Sequence, residues 1–314
     1  MFAVEFHYFH DLLSHPKCQG SLSASDFERM LDYLQSKFTL MDGKKFLEAA
    51  VNGTGEENQI CLTFDDGVRS QLDVAVPVLE SRGLTGIFFC YSSHFTGDIS
   101  MLEVYHDFRF RCYKDVDAFY REFFEILRQD PGICTLQMQH SMDRFSYDDY
   151  LVHCPWHSYT DKLFRFTRDC LLTKAQYREL MGRMMLRRGY DWKKQSEGLW
   201  MDGQSLRELE KRGHVVGLHS HTHPTNITGL GEGEQVWEYV ENQRCLSQIL
   251  GHPVQVAAYP CGKYQPGTLE TMKQLGVQIA FTAEMNSYAD PLRMPRKNHP
   301  LIWKEMCASP DCAE

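Results

Sequence analysis

Short apolar runs alternate with amphipathic segments in both the first and the last third of the chain. A continuous apolar run bounded by turn residues is typical of a strand buried on both faces of a parallel sheet. Such runs predict strands at residues 2–9, 60–64, 86–91, 215–218, 254–259 and 277–282. Apolar residues at helical spacing, several followed by glycine, predict helices at about residues 25–38, 72–81, 205–212, 234–250 and 268–275. This alternation predicts an α/β fold whose parallel sheet is either open or closed into a barrel.

Residues from about 98 to 200 interrupt the alternation. They are rich in aromatic and charged residues, with predicted helices at 116–128 and 173–188 and a less regular stretch at 131–155. We interpret this segment as a long insertion between consecutive βα units, packed over or beside the mouth of the sheet, within one domain spanning residues 1–314. Its aromatic rings are expected either to form a platform for sugars or to pack as a local core.

The composition is that of an ordinary globular protein of 314 residues, of which 43% are apolar and 24% are charged. The formal net charge of -9 argues against a nucleic-acid-binding protein, because such proteins need a basic surface that neutralises phosphates. A neutral substrate is expected instead.

The first residues lack the basic and apolar parts of a secretory signal, and no apolar stretch approaches the length of a membrane span. We therefore expect a cytoplasmic protein. Its 11 cysteines are an odd number without a C-x-x-C pair, so the sequence predicts neither a disulfide framework nor a zinc ribbon. Cys61, Cys90 and Cys245 lie in apolar surroundings and are expected to be buried thiols.

Two adjacent carboxylates follow one of the predicted strands. Asp65 and Asp66 come directly after residues 60–64, and Gly67 permits a sharp turn after them. Because side chains alternate along an extended chain, one carboxylate can bind a metal while its neighbour faces the substrate. The alternative is a turn closed by Asx hydrogen bonds without catalytic function.

A pair of histidines follows another predicted strand. His219 comes directly after residues 215–218, and His223 lies four residues further on. One helical turn would bring both rings to the same side, with His221 facing elsewhere. Two neutral imidazoles and one carboxylate make a three-ligand zinc site with positions open for water and substrate. Functional residues of parallel α/β folds gather at the carboxyl ends of strands, where we expect both motifs.

Other histidines are weaker candidates. His153 and His157 have the same spacing, but Pro155 opposes a helical arrangement, so a metal role is not favoured there. His7 and His10 lie near the end of the first predicted strand. We expect His10 to support the site, with packing in the core as the alternative.

These residues resemble those of the polysaccharide deacetylases, the carbohydrate esterases of the fourth family. Residues Thr63 to Gly67 are similar to the first motif of that family, and His219 to Pro224 are similar to the second. The sequence on both sides of the first motif is also similar, so the resemblance covers about residues 4–97 and 200–296.

The resemblance implies a distorted (β/α) barrel and the metal-dependent removal of acetyl groups from an N-acetylated sugar. It implies that Asp65 is the general base. It also implies that Asp66, His219 and His223 hold a divalent metal ion, most often zinc.

The third motif of the family corresponds to residues 258–262. The resemblance implies that the backbone NH of Cys261 binds the oxyanion and that Tyr259 lies at the substrate site. Many members open this motif with an arginine that orients the catalytic aspartate, and this sequence has none there. We expect Arg293 or Arg296 to supply the guanidinium instead.

The general acid of the family is a late histidine, and its position has no clear match in this sequence. His299 is the candidate, although residues 297–300 otherwise indicate a surface tail. Without that acid, the leaving amine could take its proton from Asp65 or from metal-bound water.

We therefore expect a cytoplasmic deacetylase that cleaves a linear amide bond in an N-acetylated sugar or glycan precursor. Two alternatives stay open. The same chemistry could act on a non-sugar amide, such as a cyclic imide or a formamide. The chain could also be a carbohydrate-binding protein that has lost turnover, because the partners expected around Asp65 are not evident.

Overall fold

Parallel strands form the centre of the computed structural model, which describes residues 1–152, 157–286 and 290–308. In chain order the strands are β1 (Phe2–Phe6), β2 (Thr39–Leu40), β3 (Gln59–Phe64), β4 (Ile87–Cys90), β5 (Val215–Leu218), β6 (Val256–Ala258), β7 (Ile279–Phe281) and β8 (Arg296–Asn298). They pair in the order β7-β6-β5-β4-β3-β1-β8, and β2 pairs with β3. Each of these pairings is parallel, as the βα alternation predicts.

The two ends of this strand order approach each other. Met294, just before β8, donates its backbone NH to the carbonyl of Ala280 in β7 and accepts a hydrogen bond from the NH of Thr282, at 2.8 and 2.9 Å. β8 itself pairs with β1 on its other side. The sheet is therefore nearly closed into a distorted (β/α) barrel, which confirms the predicted fold class.

Helices accompany the strands throughout the described residues. They are α1 (Ala24–Lys37), α2 (Gly43–Asn52), α3 (Val76–Ser81), α4 (Met101–Cys112), α5 (Val116–Arg128), α6 (Leu136–Asp143), α7 (Tyr159–Phe166), α8 (Lys174–Arg187), α9 (Trp192–Ser196), α10 (Gly203–Lys211), α11 (Glu232–Leu250), α12 (Pro266–Gln274) and α13 (His299–Ala308). In the described parts of the chain, none of them combines the length and apolar character that a bilayer crossing requires.

Contacts between residues divide the chain into two units. The first comprises Met1–Ser100 and Gly198–Glu314 and contains all of the strands above. The second comprises Met101–Glu197 and contains α4 to α9. It corresponds to the segment predicted as an insertion. The predicted packing of that segment against the sheet, and the grouping of the whole chain as one domain, stay predictions.

Aromatic rings form a local core within the second unit. Phe119 and Phe123 of α5 and Phe164 of α7 are buried, and their ring centroids lie 4.9 to 6.3 Å apart. Rings packed in this way are not available as a platform for sugars. For these three residues the structure therefore supports the second of the two predicted roles.

The first helix, α1, is capped at its start by Ser23. Oγ of Ser23 accepts the backbone NH of Asp26 at 3.1 Å, and the Asp26 carboxylate accepts the NH of Ser23 at 3.3 Å. This capping box satisfies two amide groups that a helix start would otherwise leave unpaired. Phe27, Leu31 and Leu34 then face the barrel core.

One departure from the predicted elements lies near the end of the chain. Residues 297–300 are not a surface tail, because Lys297 and Asn298 belong to β8 and His299 begins α13. The prediction was wrong because β8 is a three-residue strand without an apolar run that would mark it.

Gly217 of β5 has no room for a side chain. A Cβ atom there would lie 2.4 Å from Cδ1 of Phe89 and 3.1 Å from the carbonyl oxygen of Val256. We expect Gly217→Ala to lower the free energy of unfolding, measured by urea titration, by about 1–3 kcal/mol through overpacking. Gly233→Ala is the matched control, because a Cβ atom there would meet nothing within 4 Å. Equal losses in the two variants would contradict the steric explanation.

Candidate metal and catalytic site

The two strand-end motifs meet at one edge of the barrel. β3 ends directly before Asp65, and β5 ends directly before His219. Oδ1 of Asp66 lies 3.5 Å from Nε2 of His219 and 3.2 Å from Nε2 of His223, and all three side chains are buried. The structure thus brings together the three residues predicted as metal ligands.

The spacing of these ligand atoms fits a divalent ion. Tetrahedral ligands at ordinary zinc bond lengths lie ~3.4 Å from one another. The observed separations of 3.2 and 3.5 Å straddle that value. Oδ1 of Asp66 is also buried without a hydrogen bond of ordinary geometry, a costly state for a carboxylate oxygen that no cation contacts.

The backbone at the site adopts rare conformations. Asp66, Ser220, His223 and Cys261 have φ angles between 52° and 75°, in the left-handed region that side chains disfavour. Each lies in one of the three motifs. Such strain persists only where surrounding contacts hold it, and it clusters at functional sites.

The ring of His219 is held in one orientation. Its Nδ1 donates to the carbonyl oxygen of Ala258 at 2.9 Å, which leaves Nε2 to face Asp66. Its backbone NH donates to Oδ1 of Asn242 in α11 at 2.9 Å, and Nδ2 of Asn242 donates to the carbonyl of Cys90 at 3.1 Å. Partners of this kind fix the tautomer of a metal-binding imidazole. Sequence reasoning did not predict Asn242, since its role depends on tertiary contacts.

Asp65 is held by Arg296 in a two-point ion pair. Nη1 of Arg296 donates to Oδ1 at 2.6 Å and Nη2 donates to Oδ2 at 2.8 Å, while Nε donates to the carbonyl of Thr282 at 2.8 Å. Both charged side chains are buried. Of the two arginines predicted to orient Asp65, the structure places Arg296 here, whereas Arg293 pairs with Asp290.

A second buried carboxylate joins this pair. Oε2 of Glu5 in β1 lies 3.2 Å from Nη2 of Arg296, and Oε1 lies 3.6 Å from Nε2 of His7. Sequence reasoning missed Glu5, although an acidic residue inside an apolar strand was a usable signal. It also missed Gln71, whose side-chain amide donates to the backbone carbonyls of His7 and Asp65.

Electrostatics set the charge states of the site. Burial raises the pKa of Asp65 and of Asp66, but Arg296 outweighs burial for Asp65, and His223 and His219 outweigh it for Asp66. The pKa of each carboxyl therefore lies below its usual value. Burial lowers the pKa of His223 to about 4, whereas the two carboxylates outweigh burial and raise that of His219. At neutral pH the carboxylates are thus ionised and His223 is neutral.

The histidine that the first strand brings to the site is His7. Its ligand atom clusters with those of Glu5 and Asp65, all within 4.8 Å of one another. His10, the residue expected to support the site, instead places Nδ1 2.8 Å from Oγ of Ser21.

The weaker histidine pair in the insertion does not form a described metal site. Nδ1 of His157 lies 2.6 Å from Oδ2 of Asp161, so the ring of His157 is paired with a carboxylate. His153 lies outside the described residues.

His299 is part of the core rather than of a tail. Its Nε2 lies 2.8 Å from the carbonyl oxygen of Gly20, its Nδ1 lies 3.2 Å from that of Glu5, and its ring stacks on Phe6. Burial lowers its pKa to about 4. Because backbone carbonyls engage both ring nitrogens, the geometry does not favour His299 as the general acid.

The third motif contributes backbone rather than side chains. Tyr259 is buried, its hydroxyl donates to the carbonyl of Leu292 at 2.9 Å, and its NH donates to the carbonyl of Phe281 at 3.0 Å. These bonds give Tyr259 a structural role, so the geometry does not support substrate contact through its polar groups. The predicted oxyanion role of the Cys261 NH stays a prediction.

A protein-family model described as polysaccharide deacetylase matches residues 189–280. That segment contains the two candidate histidine ligands and the third motif. Among curated proteins, none matches this sequence significantly.

Solved structures of deacetylases share the fold. Streptococcus pyogenes deacetylase PplD, in complex with acetate, is 12% identical over 95% of this chain and 91% of its own, with a TM-score of 0.54. IcaB from Ammonifex degensii is 18% identical over 99% of this chain and 93% of its own, with a TM-score of 0.53. The de-N-acetylase from Aggregatibacter actinomycetemcomitans is 13% identical over 94% of this chain and 93% of its own, with a TM-score of 0.51. The predicted resemblance to the polysaccharide deacetylases is therefore confirmed.

Replacing Arg296 tests the buried ion pair. Asp65 in the folded protein has a lowered pKa, so it contributes stability above its unfolded pKa and loses that contribution as the pH falls through the folded value. Arg296→Met leaves Asp65 and Glu5 buried without their cation, and we expect it to lower the free energy of unfolding at pH 7 by about 3–5 kcal/mol. The deficit relative to wild type should shrink toward pH ~5, because protonation then removes the unpaired charge.

Urea unfolding at both pH values measures this effect. Arg69→Met is the control, because its partly exposed pair with Asp73 is worth about 1 kcal/mol or less. A deficit of that small size for Arg296→Met, or one that grows on acidification, would contradict the role assigned to the pair.

Proposed function

We propose that this protein is a metal-dependent deacetylase that hydrolyses the amide bond of an N-acetylated sugar or glycan precursor. The observation that carries the proposal is the buried set of Asp66, His219 and His223 beside the Arg296-bound carboxylate of Asp65. The family-model match and the shared fold support deacetylation of glycans. Zinc is the expected ion, because two imidazoles and one carboxylate are a common catalytic zinc ligand set.

When bound, the ion would polarise the acetyl carbonyl and make a nearby water more acidic. Asp65 accepts the proton of the attacking water, since Arg296 keeps its carboxylate ionised and in one orientation. The backbone NH of Cys261 is assigned the role of binding the oxyanion, because Cys261 lies at the matching position of the family's third motif.

We assign to His7 the role of the general acid, which delivers a proton to the leaving amine. It clusters with Glu5 and Asp65, and 28% of its side chain is exposed, so a substrate can reach it. Glu5 of β1 lies two residues before His7 and faces its Nε2 at 3.6 Å, which favours one ring orientation. Both ring nitrogens of His299 face backbone carbonyls, which supports giving this role to His7 instead of His299.

Two other functions remain to be separated from this one. The missing arginine and the uncertain general acid are the two grounds for a carbohydrate-binding protein without turnover, and Arg296 removes the first of them. A hydrolase of a non-sugar amide would use the same metal and base, so the substrate panel decides between them. The cytoplasmic location expected from the sequence stays a prediction.

Acetate release from N-acetylated mono- and oligosaccharides, measured with and without added zinc or cobalt, tests the proposed reaction. We expect a chelator to abolish release and zinc to restore it. Asp65→Asn should keep metal binding and lose activity by about 10²–10⁴-fold, because the general base is gone. Asp66→Asn should lose both metal binding and activity.

Asp73→Asn is the matched control, since it makes the same change in a surface carboxylate that pairs with Arg69 and His15. Sugar binding without acetate release in the wild type would favour the binding protein. Hydrolysis of a cyclic imide or a formamide, without acetate release from the N-acetylated sugars, would favour the non-sugar hydrolase. Undiminished activity of Asp65→Asn would refute the assignment of the base.

Replacing His7 tests proton delivery through the leaving group. We expect His7→Gln to retain metal and to lose about 10²–10⁴-fold of its activity on an N-acetyl sugar. Its activity on 4-nitrophenyl acetate should fall much less, because that phenolate departs without a proton. His15→Gln, a change at a surface histidine paired with Asp73, is the control. Equal losses on both substrates would indicate that His7 has only a structural role.

A further inference from the structure

A second cluster of metal-ligating side chains lies beside the loop that carries the first. His221, Glu241 and Cys245 each offer one ligand atom, and these atoms lie within 4.8 Å of one another. His221 and Cys245 are buried, while Glu241 is partly buried. None of them has a part in the deacetylase chemistry proposed above.

The three side chains are held on a common framework. Glu241 and Cys245 are four residues apart in α11, so they share one face of that helix. Glu238 of the same helix accepts the backbone NH groups of His221 at 2.8 Å and Thr222 at 2.7 Å. The loop is therefore tied to the helix through its backbone, which keeps the imidazole near the other two ligand atoms. A framework of this kind preorganises a metal site.

A cation already contacts two of the three ligands. Nε of Arg244 donates to Oε2 of Glu241 at 2.8 Å, and Nη2 donates to Oε1 at 2.5 Å. The same Nη2 lies 3.4 Å from Sγ of Cys245. The Arg244 side chain is 48% exposed, so it can turn into solvent when a stronger cation takes its place. Nδ1 of His221 lies 2.9 Å from Oγ of Ser92, a partner that orients the ring.

We propose that His221, Glu241 and Cys245 form a second site, for a thiophilic divalent cation such as Zn²⁺. Thiolate and imidazole are ligands that zinc prefers, and the carboxylate completes a three-ligand set. Binding releases the thiol proton of Cys245 to solvent and displaces Arg244 from Glu241. The bound ion joins the loop between β5 and α11 to the helix itself.

Titration of the intact protein with Co²⁺, followed by near-ultraviolet absorption, tests this site. A cobalt–thiolate bond gives a charge-transfer band, which the sulfur-free site of Asp66 and the two histidines cannot give. We expect the band in the wild type and its loss in Cys245→Ser. Cys307→Ser removes an exposed thiol from α13 and should leave the band unchanged.

Two further variants keep the test decisive if Cys245→Ser does not fold. Arg244→Gln should tighten cobalt binding by up to about 5-fold, because it removes an exposed competing ion pair. Glu241→Gln should weaken it by about 10-fold or more. The band should persist in Asp66→Asn, so that failure of the deacetylase site and failure of this site are separate results. Absence of the band in both the wild type and Arg244→Gln, or its persistence in Cys245→Ser, would overturn the proposal.

Discussion

One buried guanidinium holds the Asp65 half of the candidate site together. Arg296 faces two carboxylates, Asp65 at 2.6 and 2.8 Å and Glu5 at 3.2 Å, in the buried interior of the barrel. Charges are costly to bury unless ion pairing and hydrogen bonds compensate them. The remaining Nε hydrogen bond to Thr282 completes that compensation. Three strands, β1, β3 and β8, are thereby fixed in relation to one another, and the base cannot be moved without disturbing all of them.

The candidate metal-binding half depends on a different kind of constraint. Its ligands lie on turns whose backbone is strained at Asp66, Ser220 and His223, and the surrounding contacts hold that strain. Much of the support comes from α11, which supplies Asn242 to His219 and Glu238 to the following residues. One helix thus positions the loop that carries the candidate ligands, while the strands position Asp65.

The candidate metal ligands could be identified from the sequence because each motif is local. Asp66, His219 and His223 follow apolar runs, and the spacing within each motif already indicates the chemistry. The sequence narrowed the guanidinium to Arg293 or Arg296, and the fold made the choice between them. The contacts of Glu5 and Asn242 needed the fold as well, since their partners are distant along the chain. The choice between His7 and His10 shows how an error in a predicted strand end leads to an error in a predicted site residue. The strand was predicted to run to residue 9 but ends at Phe6, so the residue directly after it is His7.

The closure of the barrel has a consequence for how the protein is made. Asp65 leaves the ribosome 231 residues before the arginine that neutralises its surroundings. At ordinary rates of synthesis that interval lasts about 10 to 50 s. Throughout it, β3 and β4 can assemble, but the buried carboxylates have no cation and β1 has no neighbour on one side. A nascent chain therefore cannot hold Asp65 in its final orientation until β8 arrives, so the candidate site is completed only in the last stage of folding.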